Sequence, residues 1–296
     1  MRPRKDESIP VKSRNERITI YRPNRRHELG FLSTWVVMTK NILQSKEFIW
    51  QLFRRDFLAA YKKSFIGIAW VFISPIFGIV SWVFLQYTGL LQPGDVGVPY
   101  PAYVLIGSSV WGLFMGFFGA ASETLSSGAG LQLQISYPHE ALLVKQTAQH
   151  LANFLISFSM NIIMLFALGV VPSWKIIFFP LVSLPLFFLG SALGLIASMI
   201  AVVAIDVRGA INIAMGLLIW IIPVVYSDKV SSAVVQACIK WNPLTYLICS
   251  GRDIILFGRL YSATGFIVCS AFSLFCFLMS WRMFYVSEDK LTERMI

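Results

Sequence analysis

Six stretches of this 296-residue sequence contain no Asp, Glu, Lys or Arg: 64–94, 96–122, 146–174, 176–205, 209–227 and 260–281. They are 31, 27, 29, 30, 19 and 22 residues long. A helix that crosses a hydrocarbon layer of about 30 Å needs about 20 mostly apolar residues, since each residue advances it by about 1.5 Å. The windows therefore predict an all-α integral membrane fold with six transmembrane helices, near 65–90, 103–121, 147–171, 176–204, 211–226 and 264–284. Composition agrees, with 56% hydrophobic and only 14% charged residues, too little polar surface to cover a soluble core. Disordered, collagen-like and secreted disulfide-rich classes are excluded on the same ground.

The charge is concentrated at one end of the chain. Residues 1–63 hold 15 Lys/Arg against 6 Asp/Glu, so +9 of the formal +10 lies there. A basic arm directly before the first apolar window reads as a juxtamembrane segment near anionic lipid, and no nucleic-acid partner is expected. No apolar core of a signal peptide lies in that arm, so the first span is expected to direct insertion. The same bias orients the bundle with both termini cytoplasmic. Lys229, Lys240, Arg252 and Arg259 then fall outside, against the rule.

The segment carrying those four cations, 227–263, is unusual in other ways. Stretches 230–239 and 244–257 are too short to span and too apolar for an ordinary loop. They predict two short helices around the Asn242-Pro243 turn, either re-entrant, with irregular backbone shielded by protein or a cavity, or lying on the surface. Before the first span, residues 48–62 gather Phe48, Ile49, Leu52, Phe53, Phe57 and Ala60 on one helical face, with Gln51, Arg54, Arg55 and Lys62 opposite. This is the pattern of an amphipathic interface helix. Asp56 falls inside the apolar arc and calls for a basic partner. The domain plan is a polar extension (1–30), expected to be disordered, an amphipathic cytoplasmic interface helix (31–63), a six-helix membrane domain (64–284) and a cytoplasmic tail (285–296).

Catalytic and metal chemistry find no foothold. No Gly-Lys dipeptide occurs, so the GxxxxGK[ST] phosphate loop is absent. His27, His139 and His150 form no HExxH motif, and the four cysteines form no CxxC pair, although a Cys238–Cys249 bridge outside the membrane is one reading. His150 is the sole titratable candidate inside a span and reads as a satisfied interfacial histidine. The chain is expected to be no enzyme, with no catalytic residue, metal or cofactor of its own. Aromatic rings crowd the first two spans, among them Trp82, Tyr87, Tyr103, Trp111 and Phe114. These read as lipid-facing belt residues or as the lining of a conduit. Gly112, Gly116, Gly119, Gly190 and Gly194 sit at intervals suited to close helix contact.

Three ordered motifs then resemble the permease subunit of ABC-2 type exporters, in the branch that exports O-antigen, capsule or teichoic-acid chains. The first is Arg54-Arg55-Asp56, Tyr61-Lys62-Lys63-Ser64 and Gly67-Ile68-Ala69-Trp70, closing on Ser74-Pro75. The second is Ile135-Ser136-Tyr137-Pro138-His139-Glu140 after span 2. The third is Trp241-Asn242-Pro243-Leu244-Thr245 with Arg252-Asp253 beyond it. Two features depart from the family pattern: Asp206-Val207-Arg208 stands where adjacent Arg-Asp is common, and the polar start is longer than usual.

The resemblance implies a homodimeric channel that exports a lipid-linked polysaccharide of O-antigen type, driven by two copies of a separate ATPase that binds ATP and Mg. A capsule, teichoic acid, drug or small lipid is the alternative cargo. It also implies roles for named residues. Leu131, Ile135, Tyr137, Pro138, His139 and Glu140 would couple to the ATPase. Arg54, Arg55, Asp56, Tyr61, Lys62 and Lys63 would meet a lipid headgroup or simply anchor the chain. Pro223, Tyr226, Trp241, Asn242, Pro243, Arg252 and Asp253 would form an external gate.

Overall fold

A computed structural model of the chain describes residues 30–62, 70–126 and 138–295. Every regular element among them is helical. In chain order these are α1 (Phe31–Gln44), α2 (Lys46–Lys62), α3 (Trp70–Tyr87), α4 (Tyr100–Ser122), α5 (His139–Ala167), α6 (Phe179–Val203), α7 (Ile205–Leu217), α8 (Ala233–Trp241), α9 (Pro243–Leu256) and α10 (Ala263–Met295). Short 3₁₀ turns precede α6 (Trp174–Phe178) and follow α7 (Leu218–Trp220).

Four segments are long and apolar enough to cross a membrane: Tyr100–Ser122, His139–Ala167, Trp174–Val203 and Ala263–Ser287. The other two expected spans correspond to α3 and α7, which fall short by this measure among the described residues. The expected start of span 1, from 65, lies outside them. Span 5 ends early: the helix stops at Leu217 and the chain turns through 221–226, where Pro223, which has no N–H to continue a ladder, sits buried. Span 3 begins eight residues before its expected start at 147, at His139, because Glu140 and Lys145 are buried inside the protein instead of marking a wet helix end. The expected tail at 285 is a continuation of α10.

α6 is the axis of the bundle. It packs along α4 and α10, and α5 leans on α4. Close approach is possible because small residues face the α4 backbone. A Cβ on Gly190 would stand 3.0 Å from the Phe114 carbonyl, and one on Gly194 would collide with that of Phe118. By contrast, Gly112 and Gly119 meet no neighbour among the described residues. Phe114, Phe117, Phe154 and Phe187 fill the layers between α4, α5 and α6. His150 belongs to this interior: its Nε2 lies 3.1 Å from the Leu113 carbonyl and its ring meets Phe117 edge-on.

The two ends of the bundle differ in construction. At one end α1 and α2, separated at Ser45, lie against the start of α5, and α1 also meets α10. At the opposite end α8 and α9, the 3₁₀ turns and the loop at 88–99 close over the helices. There Ser227 N donates to the Pro93 carbonyl at 2.7 Å, and Ser173 N to the Ile255 carbonyl at 2.8 Å.

Candidate functional site

The Asn242-Pro243 turn produces α9 by ordinary capping chemistry. Asn242 Oδ1 accepts from Leu244 N at 3.0 Å, and Pro243 occupies the first helical position, where a missing N–H costs nothing. From Leu244 to Leu256 all but Tyr246 are buried, so α9 is a short helix inserted among α4, α6 and α10. α8 is the reverse, with only Ile239 buried. The two expected short helices thus form a pair of unlike members, one internal and one superficial.

Burying α9 brings Arg252 and Asp253 inside. Both are about 5% exposed, and Arg252 reaches Asp253 Oδ1 through Nε at 2.9 Å and Nη2 at 2.8 Å. An ion pair this deep is tolerable only if its remaining donors are used. Arg252 Nη1 donates to the Pro223 carbonyl at 2.8 Å and to the Tyr103 hydroxyl, while its guanidinium carbon lies 4.1 Å from the Tyr103 ring centroid. Tyr103 Oη in turn donates to the Tyr226 carbonyl at 3.0 Å. Tyr226 Oη donates to the Trp220 carbonyl at 3.0 Å. The network ties α4, α9 and the turn after α7 together. It passes beside Gly107, where a Cβ would strike the Val224 carbonyl, so the turn can rest directly on α4.

The aromatics of the first two spans are placed differently from one another. Tyr103 is committed to Arg252, and Trp111 and Phe114 pack on each other inside the core, centroids 5.6 Å apart. Trp82 is half-buried against Trp220 of the turn after α7, at 5.4 Å. Only Tyr87, 91% exposed, stands clear of the protein. The cysteines are free: Cys249 is buried and Cys238 exposed, and they form no bridge.

At the opposite end, α2 docks on α5 through its apolar arc, with Leu52 buried and Phe53 half-buried. Arg54 and Arg55 face outward from that contact. The partner demanded by Asp56 is Lys145 of α5, whose Nζ lies 2.5 Å from Oδ2, with Arg55 Nε 2.8 Å from Oδ1. Partial burial alone would raise the Asp56 pKa, but the hydrogen bonds and charges of Arg55 and Lys145 outweigh it and hold the carboxyl below its ordinary range. Lys145 was not singled out in the sequence. Its signal was complementary isolation, a lone cation beside an apolar window matching a lone acid in an apolar arc.

His139 and Glu140 also lie here, and both are buried within their own chain. Asn41 of α1 donates to Glu140 Oε1 at 3.4 Å, and the His139 ring faces Phe284 of α10, centroids 6.5 Å apart. Within one chain, the pair is thus held between α1 and α10 at the start of α5. Pro138 is half-buried at the helix start. Leu131, Ile135, Tyr137 and Lys63 lie outside the described residues. Tyr61 and Lys62 end α2, and their side chains are not described.

Residues 47–256, which run from α2 through α9, match the ABC-2 type transporter family. The chain belongs to that family. The matched region takes in both polar sites, from the Asp56–Lys145 contact to the Arg252 network. Among curated ABC-2 relatives, the chain is 23% identical over 259 residues to the O-antigen export system permease protein RfbA of Myxococcus xanthus, covering 86% of this chain and 97% of the relative. It is 20% identical over 240 residues to the O-antigen export system permease protein RfbA of Klebsiella pneumoniae, covering 79% and 85%. This chain is therefore an ABC-2 type permease with several membrane-crossing helices.

Proposed function

We propose that this permease exports a lipid-linked polysaccharide of O-antigen type across a bacterial cytoplasmic membrane. It does so through a channel between two copies, powered by two copies of a separate ATPase subunit. The observation that carries the reading is the near end-to-end match to permeases named for O-antigen export. In support, the apolar face of α3 formed by Phe77, Val80 and Phe84 is exposed within one chain and available to a second copy or to lipid. The basic N-terminal segment supports an orientation with the α2 end and both termini in the cytoplasm and the α8–α9 end outside.

Each step then has a place. Arg54 and Arg55, outward on α2, are positioned to meet a phosphate headgroup arriving from the side. The segment ending at Pro138 couples to the ATPase, and the buried His139 and Glu140 hold its exit rigid against α1 and α10. α9 with α8 forms the external gate. ATP binding and hydrolysis in the partner shift an equilibrium between closed and open channels.

The test is to purify the tagged chain in mild detergent from its native cell and to delete it in parallel. Co-purification of an ATPase, together with loss of surface polysaccharide in the deletion strain and its return on complementation, is the expected result. Intact surface polysaccharide in the deletion strain overturns the reading.

A further inference from the structure

Three of the four cations that break the positive-inside pattern remain unexplained once Arg252 is neutralised by Asp253. Two of them, Lys229 and Lys240, line one cavity of about 400 Å³ at the α8–α9 end. Its wall comes from the loop before α8, from α8 itself and from Tyr261 just before α10. Neither lysine forms an ion pair among the described residues. The wall's one carboxylate, Asp228, accepts from Tyr261 Oη at 2.6 Å and is thereby turned to the frame of the cavity. Two lysines thus share this wall with one carboxylate that already has a partner.

The frame is fixed by hydrogen bonds that leave the lysine heads free to act. Gln236 Nε2 donates to the Val230 carbonyl at 2.7 Å, and Val230 N to the Asp228 carbonyl at 3.0 Å. Tyr246 Oη donates to the Lys240 carbonyl at 3.0 Å. A cation in the last turn of α8 suits the helix dipole, which accounts for Lys240 alone. It does not account for Lys229, which comes from a loop and lines the same cavity. Concave volume, a fixed frame and two lysines in one wall are what an anion with several oxygens requires.

We infer that this cavity is a binding site for a phosphate-bearing group, with Lys229 and Lys240 as its charged donors. That it opens on the outer face rests on the exporter reading. The phosphate then comes either from the linkage of the exported chain or from the headgroup of an anionic phospholipid.

The experiment uses the full chain in phosphatidylcholine nanodiscs, titrated with inorganic pyrophosphate by calorimetry. Binding that weakens as salt screens the site is expected. The double variant Lys229→Gln/Lys240→Gln should weaken it by at least about tenfold, given the strength of hydrogen bonds to charged groups. Lys229→Arg/Lys240→Arg should retain binding, and Lys175→Gln, at the same end but outside the cavity, should leave it unchanged. No binding by the native chain, or equal binding by the glutamine variant, overturns the site. Nanodiscs doped with phosphatidylglycerol separate the sources: weakened pyrophosphate binding identifies the phospholipid headgroup, and unchanged binding the exported chain. Should the chain prove dispensable for polysaccharide export yet bind pyrophosphate through these lysines, the exporter reading falls and the site stands.

Discussion

Arg252 is the residue on which the α9 end turns, because a buried charge has few ways to be removed harmlessly. Arg252→Ala strands Asp253 in the interior and leaves the Pro223 carbonyl with only the long contact from Cys249 Sγ, at 3.9 Å. The expected cost is about 3–5 kcal/mol, read as a large drop in thermal midpoint of the purified chain. The double variant Arg252→Met/Asp253→Leu removes both charges and should recover most of that loss, a comparison that separates the pair from simple packing. Asp56 makes a gentler case, open to titration. Its carboxyl is held below the ordinary value, so its contribution is complete above that value, near 3.8, and is lost as pH falls through the lower folded one. Proteolysis between α2 and α3 should therefore accelerate only in strongly acidic buffer. In Asp56→Asn, where Lys145 stays buried without its counter-ion, it should be fast at neutral pH.

At the scale of elements, α4 and α6 are matched by the absence of side chains at Gly190 and Gly194. Gly194→Leu forces a branched side chain against the Phe118 carbonyl and should cost at least the about 1–3 kcal/mol of an overpacked core. Gly119→Leu, which meets nothing among the described residues, should not lower the thermal midpoint of the monomer. The helices were legible because charge-free windows and their lengths are direct consequences of the bilayer as solvent. Their ends were less so, since Glu140 and Lys145 look like wet boundaries until their neighbours are known. The Asn242-Pro243 turn was legible for a local reason, the cap and the proline. That Tyr103 would meet Arg252 was hidden, because the two are 149 positions apart and nothing local links them.

As a whole, the molecule joins its N-terminal helices to the bundle by an apolar arc with an ion pair beside it, and stitches the closing loops at its opposite end through backbone. The α2 contact depends on Asp56, Lys145 and Arg55, with Asn41 and Glu140 beside it. Across the loops at the other end, Ser227 N to Pro93 O and Ser173 N to Ile255 O carry the connection. Amide groups belong to every residue but proline, whereas a particular carboxylate is lost in a single codon change. Substitution over time can therefore rewrite nearly every side chain in the closing loops while their stitching survives. The docking of the N-terminal helices survives only if its partners change together, so correlated replacement, position 56 with position 145, is the trace this architecture leaves in descendants of the chain.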